Sequence, residues 1–400
     1  MTGNGGDAVR AAVLVAQPIQ HFAPGLRLLA QRPEVHTRVY YWNAAAGGLY
    51  DPGFGRHVRW STDLHSGYDW WAPPAGRPAV RRQVAVWRRL RTDRPDAILC
   101  FGWASRIARA GIAYATLTRT PLLYYGDTNG RAPLGGGNQT VRALVLRRLF
   151  GGAAGAVSTG TFNREFYLAH GLPPERIHAG VYPTDVDLFH AAANQRRPNG
   201  GEGRPLVIGF AGKFTPIKAA QDLVEAVARL PDDLSWELRL IGDGPLRPQL
   251  EAAVATHGLT GRVHFLGFRN TDELPALMSE IDIMVMPSRK EPRGLVPIEA
   301  MAAGAAVVVS SATGVWGPGD AVQQGETGLV YPAGDIDALA ACLRRLMDQP
   351  DLRLRLAAAG RARARSFGPH EFASTVAAAL VATARPTRST FRAQDARGNP

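Results

Sequence analysis

The chain has 400 residues, of which 46% are hydrophobic and 20% charged, a composition typical of a globular protein with two or three domains. No apolar run approaches the roughly 20 residues of a membrane-spanning helix, and the first residues lack the pattern of a signal peptide. We therefore expect a cytoplasmic protein. Cys100 and Cys342 lie far apart in sequence and lack a close partner, so neither a structural zinc site nor dithiol chemistry is expected.

The net charge of +12 lies mainly in residues 1–187, which hold 22 Arg against 12 Asp and Glu. A solvated basic surface explains this surplus, and attraction of an anionic acceptor or of acidic lipid headgroups is the alternative. We expect no nucleic-acid binding, because no recognised motif accompanies the charge.

Short apolar runs alternate with helical patterns along both halves of the chain. Strands are predicted in the first half at Ala11–Ala16, Ala97–Phe101, Pro121–Tyr125 and Gly155–Ser158. In the second half they are predicted at Leu206–Phe210, Glu237–Ile241, Val263–Phe265, Ile283–Met286 and Ala306–Val309, with a helix at Ala219–Leu230. This alternation predicts an α/β fold with two successive parallel-sheet units.

The polar stretch Asn194–Pro205 reads NQRRPNGGEGRP and has no hydrophobic period, as expected of an interdomain connection. We predict a first domain over 1–190, a linker over 191–205 and a second domain over 206–367. A periodic helix follows at Gly368–Ala384, assigned to 368–385, and residues 386–400 are predicted to be disordered.

The most informative stretch is PSRKEPRGLVPIEAMAAGAAVVVS, residues 287–310. Seven residues separate Glu291 from Glu299, and a helix pattern begins near Leu295. Glu291 is thus placed in a loop and Glu299 in the first turns of a helix. The backbone N–H groups of Gly294, Leu295 and Val296 are expected to face an anion or sugar hydroxyls.

This motif resembles the signature of the retaining GT-B glycosyltransferases of family four, a paired glutamate with an EPxGL-like core. GFAGKFTPIK, residues 209–218, resembles the phosphate-binding loop of that family, and IGDGPLRPQLE, VHFLGF and ETGLVYPAGD resemble further landmarks. The resemblance covers residues 206–345. It implies a GT-B architecture, two Rossmann-like domains facing across a cleft, with the donor mainly on the second and the acceptor mainly on the first. It also implies that the last helix crosses back to the first domain.

The resemblance further implies roles for individual residues. Lys213 and Lys218, two of the three lysines, would neutralise the diphosphate leaving group, so neither a metal nor another cofactor is expected. Glu299 would bind the ribose hydroxyls and Glu291 the hydroxyls of the transferred sugar. A covalent Glu291 intermediate is the alternative to the favoured same-face route, in which the leaving phosphate takes the acceptor proton. Further donor-binding positions are Gly212, Gly242, Asp243, Phe268 and Arg269.

Two other patterns match metal or cofactor motifs only in part. Asp185-Val186-Asp187 fits a DxD metal motif but is interpreted as structural. Gly242-Asp243-Gly244-Pro245 lacks the third glycine of a dinucleotide fingerprint, so it is interpreted as a loop at the edge of the donor site. Asp243 is expected either to contact the donor or only to cap this loop.

Two residues in the first half follow predicted strands, and open α/β sheets bind ligands at the carboxyl ends of their strands. His21 is expected to approach the acceptor or the donor phosphate, with a packing or capping role as the alternative. Asp127 is expected to orient or deprotonate the acceptor hydroxyl, with a loop anchor as the alternative. Many relatives carry a histidine just before this aspartate where this chain has Gly126, which removes any histidine-assisted role at that position.

Two stretches of the first half suggest surfaces for an acceptor. Residues 40–71 contain nine aromatic residues, of which two or three are expected to touch ligand. Val80–Arg94 reads VRRQVAVWRRLRTDR and predicts a basic amphipathic helix, either solvent-facing or lying on an anionic membrane surface.

The sequence thus predicts a retaining, metal-independent, hexosyltransferase-type glycosyltransferase that is cytoplasmic, with peripheral membrane association as the alternative. Its partners would be a nucleotide-sugar donor and a glycan, lipid-linked or natural-product acceptor, with no prediction of oligomeric state. A nucleotide-sugar epimerase of the same fold and a non-catalytic nucleotide-sugar-binding protein are the alternatives, because fold alone does not separate them.

Overall fold

A computed structural model describes residues 8–44, 49–51, 53–54, 56–58, 61–130, 139–195, 204–231 and 233–395. It contains two α/β units, each built around a parallel sheet. Inner strands such as Ile283–Met286 are continuous apolar runs, because helices cover both faces of each sheet there and leave few positions for polar side chains.

The first unit has a seven-stranded parallel sheet made of β1 (Val9–Val15), β2 (Val35–Tyr41), β5 (Asp69–Trp71), β6 (Ala97–Phe101), β7 (Leu122–Gly126), β8 (Gly155–Ser158) and β9 (Ile177–Ala179). The strand order is β5-β2-β1-β6-β7-β8-β9. A separate antiparallel pair is formed by β3 (Leu49–Asp51) and β4 (Arg56–Val58). The helices are α1 (Ala23–Ala30), α2 (Ala79–Asp93), α3 (Arg106–Thr118), α4 (Gln139–Gly151), α5 (Thr161–Ala169) and α6 (Val186–Gln195).

The second unit has a six-stranded parallel sheet made of β10 (Leu206–Ala211), β11 (Trp236–Ile241), β12 (Val263–Gly267), β13 (Ile283–Met286), β14 (Ala306–Ser310) and β15 (Leu329–Tyr331). The strand order is β12-β11-β10-β13-β14-β15. Its helices are α7 (Ala220–Val227), α8 (Arg247–Thr256), α9 (Leu274–Ser279), α10 (Val296–Ala302), α11 (Ile336–Asp348) and α12 (Pro350–Ala364). The predicted α/β class and the two Rossmann-like units are confirmed.

All nine predicted strands are present, with bounds that differ by a few residues at most. The helix predicted at Ala219–Leu230 is shorter, since α7 ends at Val227. The segment assigned to the linker begins within α6, which continues to Gln195, and residues 196–203 lie outside the described residues.

The last helix, α13 (Pro369–Asp395), packs against the first unit, mainly on α1. Phe372 lies in an aromatic cluster of that unit, with ring centroids 5.8 Å from Phe22 and 5.6 Å from Tyr125. The helix continues to Asp395, into the segment for which the sequence predicts disorder. Of the helices in the described part of the chain, none has the length and apolarity needed to cross a bilayer.

Candidate functional site

A cavity of about 340 Å³ lies between the two units, and both contribute to its walls. The loops that follow β1, β7, β10, β11, β12 and β13 reach it, so it sits at the carboxyl ends of both sheets, where open α/β folds bind ligands. Hydrogen bonds cross between the units at its edge. Thr271 donates to Gln20 at 3.1 Å, and Ser61 donates to Asp272 at 3.1 Å.

Glu291 and Lys218 meet in this cavity. Lys218 Nζ donates to Glu291 Oε2, and both side chains are largely buried. The loop that carries Glu291 is held by backbone bonds: Glu291 N donates to Ala312 O at 3.2 Å, and Gly314 N donates to Glu291 O at 2.9 Å. The carboxylate is therefore fixed beside the ammonium group on a supported loop.

Glu299 lies deeper in the cavity wall, in the first turns of α10, as its position in the motif predicts. It is 7% exposed, and Thr184 Oγ1 donates to its Oε1 at 2.7 Å. Burial raises the pKa of Glu299 to about 7, and the hydrogen bond from Thr184 opposes this rise. The carboxyl is thus poised to change ionisation near neutral pH.

The glycines of the donor loops permit close backbone approach. A Cβ added to Gly242 would lie 1.8 Å from the carbonyl oxygen of Gly212, and the φ of Gly242 is +143°, a conformation that L side chains rarely adopt. Both glycines line the cavity. The backbones at the ends of β10 and β11 therefore lie too close together to admit a side chain larger than that of glycine at Gly242.

His21 and Asp127 enter the cavity from the first unit. Burial lowers the pKa of His21 to about 4, so the imidazole is neutral at pH 7 and carries one N–H donor. Burial raises the pKa of Asp127; the negative charge of Glu291 adds to this rise, and the positive charge of Arg293 opposes it. Asp127 and Glu291 are thus close enough to interact electrostatically.

The structure places most of the predicted donor-binding residues in the cavity wall: Gly212, Lys218, Gly242, Phe268, Arg269, Glu291, Gly294, Leu295, Val296 and Glu299. Lys213 and Asp243 are not among the lining residues. Lys213 Nζ lies 5.1 Å from the ring centroid of Phe54, which does line the cavity. Asp243 caps its own loop by accepting the N–H of Gly244 at 2.9 Å, which is the alternative considered for it.

Three further polar residues line the wall and are not among the site residues that the sequence predicts: Thr184, Asp185 and Arg293. Burial is the main cause that raises the pKa of Asp185, a residue that the sequence predicts to be structural. Arg293 is 3% exposed and forms a 2.5 Å ion pair with Asp320. The signal for Arg293 was its position, since it is the variable residue inside the EPxGL-like core.

The aromatic stretch contributes mainly to packing. Tyr40, Tyr41 and Trp42 are buried in the core, whereas Phe54 lines the cavity. Trp60 lies outside the described residues. The basic helix forms as α2 and packs through Val86 and Leu90, so its contact with a membrane stays a prediction.

The described residues contain no group of three or more His, Cys, Asp or Glu side chains arranged to hold a metal ion. The cations near the cavity carboxylates belong to the protein itself. Lys218 and Arg293 both line the wall, and Arg269 lies at the loop that follows β12.

Two Rossmann-like units that face across a cleft define the GT-B architecture. Solved structures with this arrangement include HepE of Anabaena in complex with UDP, at a TM-score of 0.70 and 20% identity, covering 93% of this chain and 100% of that one. Sucrose-phosphate synthase of Thermosynechococcus elongatus matches at a TM-score of 0.63 and 21% identity, covering 98% and 100%.

The family model described as glycosyl transferases group 1 matches residues 192–363 of the chain. Two relatives from Streptomyces kanamyceticus are similar in sequence. A 2-deoxystreptamine glucosyltransferase is 41% identical over 174 residues, 43% of this chain and 44% of the relative. An alpha-D-kanosaminyltransferase is 32% identical over 192 residues, 46% and 49% respectively. The match thus spans about half the length of these relatives.

Proposed function

We propose that the chain is a retaining, metal-independent glycosyltransferase that moves a hexosyl group from a nucleoside-diphosphate sugar to a hydroxyl of a natural-product or glycan acceptor. The observation that carries the proposal is that Lys218, Glu291 and Glu299 line one interdomain cavity within the matched segment. The names of the two Streptomyces relatives and the UDP bound to HepE support this class of substrates.

The geometry suggests how the donor would bind. Glu299, buried and held by Thr184, offers its second oxygen to the ribose hydroxyls. Lys218 would exchange Glu291 for an oxygen of the diphosphate, which places a fixed positive charge where negative charge develops. Glu291, released from that pair, would then accept the hydroxyls of the sugar. The ion pair keeps both groups in position before the donor arrives.

The transfer step follows from this arrangement. The acceptor oxygen approaches C1 of the sugar on the face that the phosphate leaves, the C1–O bond to the diphosphate breaks, and the new C1–O bond forms. The proton of the acceptor hydroxyl passes to the leaving phosphate oxygen. Asp127 would orient that hydroxyl, and the neutral His21 would donate a hydrogen bond to the donor or the acceptor.

The experiment that tests the proposal is a thermal-shift screen of UDP-, GDP-, ADP- and dTDP-sugars in EDTA. A ligand at 100 times its dissociation constant stabilises the native state by about 2.7 kcal/mol. We expect one nucleotide series to stabilise the wild type, and both Lys218→Ala and Glu299→Gln to lose the effect. Lys290→Ala is the matched control, since Lys290 is exposed and does not line the cavity.

Absence of binding, or binding that requires a divalent ion and ignores both substitutions, would overturn the proposal. Product analysis separates transfer from epimerisation. Incubation of the donor without any acceptor would yield an epimerised nucleotide sugar from an epimerase, whereas a transferase releases only free sugar and nucleotide. The anomeric configuration of that sugar, read by NMR before it equilibrates, tests retention.

A further inference from the structure

A buried ion pair of the second unit is hydrogen-bonded to the first unit beside the cavity. Arg293 Nη1 donates to Asp320 Oδ1 at 2.5 Å and to the carbonyl oxygen of Gly314 at 2.9 Å, all within the second unit. The other oxygen of Asp320 accepts the backbone N–H of Thr161, the first residue of α5 in the first unit, at 2.9 Å. We call Arg293, Asp320 and Thr161 the junction.

The junction connects the chain segments that carry Glu291 and Asp127. On one side, Arg293 is two residues from Glu291 on the same supported loop. On the other side, Asn163 in the first turn of α5 donates to the carbonyl oxygen of Thr128 at 2.6 Å, immediately after Asp127. Hydrogen bonds at the junction and the chain segments between them therefore link the loop of Glu291 to the loop of Asp127.

The surroundings of the junction leave little room for movement. A Cβ added to Gly160 would lie 2.3 Å from both Arg293 Nη1 and Asp320 Oδ1. A second connection runs beside it, because Asn129 Nδ2 donates to the carbonyl oxygen of Pro292 at 2.9 Å. The position of one unit on the other is thus set by directional bonds at the edge of the cavity.

Stability alone is a poor explanation for this ion pair. Arg293 and Asp320 side chains are 4% and 1% exposed, and removing two charges from water offsets most of their mutual attraction. Arg293 Nε and Nη2 are also buried, and neither has a hydrogen-bond partner in the described part of the chain. The ion pair costs desolvation free energy but holds Asp320 in a fixed orientation. It is therefore better suited to fixing the position of one unit relative to the other than to adding stability.

We propose that Arg293 and Asp320 are positioning residues, which act through the N–H of Thr161 to fix the placement of Asp127 opposite Glu291 across the cleft. The inference rests on the proposed function, because a transfer between a donor on one unit and an acceptor on the other requires that placement.

The sharpest perturbation removes a single N–H. Thr161→Pro deletes the donor to Asp320 at the first position of a helix, where the fixed φ of proline is tolerated. Thr161→Ala is the conservative variant, since it keeps the N–H and loses only the hydroxyl that donates to Pro318 O at 2.8 Å. Arg106→Pro puts a proline at the same position of α3, away from the junction, and controls for the proline itself.

Two measurements report on the junction. Small-angle X-ray scattering gives the radius of gyration of the whole chain, which we expect to increase in Thr161→Pro because the units separate. Release of free sugar from the donor series that stabilises the wild type, with water as acceptor, gives kcat and KM. We expect kcat of Thr161→Pro to fall about 100-fold or more, with KM for the donor within twofold of the wild type, because a misplacement of even about 1 Å can cost that much and separation of the units displaces Asp127 further.

Thr161→Ala and Arg106→Pro should match the wild type in both measurements. Wild-type scattering and kcat in Thr161→Pro, or an equal loss in Thr161→Ala, would overturn the inference. A change in KM alone would also overturn it, since that indicates a lost donor contact. The proposed function is judged separately: if the wild type binds none of the nucleotides, that function fails, whatever the scattering of the variants shows.

Discussion

Replacing Glu299 by glutamine removes a buried carboxyl whose ionisation the fold opposes. Burial raises its pKa from the ordinary 4.5 to about 7. A group with a folded pKa above its unfolded value stabilises the native state at low pH, and this contribution is lost as pH rises through the folded pKa. The shift corresponds to about 3 kcal/mol at 1.36 kcal/mol for each pH unit.

The glutamine in Glu299→Gln does not ionise, so this variant does not lose stability through that group as the pH rises. We therefore expect the free energy of unfolding of Glu299→Gln, minus that of the wild type, to increase by about 3 kcal/mol between pH 4.5 and pH 8. Urea unfolding followed by tryptophan fluorescence at half-unit pH steps measures this difference, and ionisations common to both proteins cancel. The exposed Glu326, replaced by Gln, is the control, because it makes the same chemical change on the surface. A pH-independent difference for Glu299→Gln would refute the reasoning.

Three further predictions concern the donor loops, the partner of Glu299 and the cysteines. Gly242→Ala should abolish nucleotide stabilisation in a thermal-shift assay, because the added Cβ would collide with a backbone oxygen. Gly258→Ala is the control and should retain the stabilisation, since Gly258 also has a positive φ, +69°, but no atom lies within 4 Å of the added Cβ. Equal behaviour of the two variants would contradict this prediction. Thr184→Val should weaken binding of the nucleoside diphosphate about tenfold at pH 7, with recovery in Thr184→Ser, in isothermal titration calorimetry. Ellman's reagent should react in the native protein with Cys342 only. Cys100 is fully buried, and burial raises the pKa of its thiol to about 12. Fast reaction of two thiols would contradict this prediction.

The sequence predicts best where one local pattern decides the structure. β13 and β14 are unbroken apolar runs between turns, and both form at their predicted places. β2 reads VHTRVYY, and its polar residues interrupt the apolar pattern, so the sequence does not predict this strand although it lies inside the sheet. β15 has only three residues, too few for a periodic signal.

The same distinction holds for the site. Lys218 and Glu291 follow strands that neighbour each other, so the carboxyl-end rule brings them together once the sheet order is fixed. The contact of Thr184 with Glu299 spans 115 residues of sequence and depends on how the two units face each other. No local pattern encodes that orientation, and for the same reason Arg293 could not be connected to an aspartate in advance.

The helix α13 makes the first unit discontinuous in sequence. Its Phe372 completes an aromatic cluster with Phe22 and Tyr125, yet it is synthesised after the whole second unit. During translation the first unit therefore emerges with part of its core uncovered and closes only when the C-terminal segment leaves the ribosome. A fragment that stops before Pro369 would leave this apolar surface exposed. The two units therefore have separate sheets, but folding of the first unit requires the helix that follows the second.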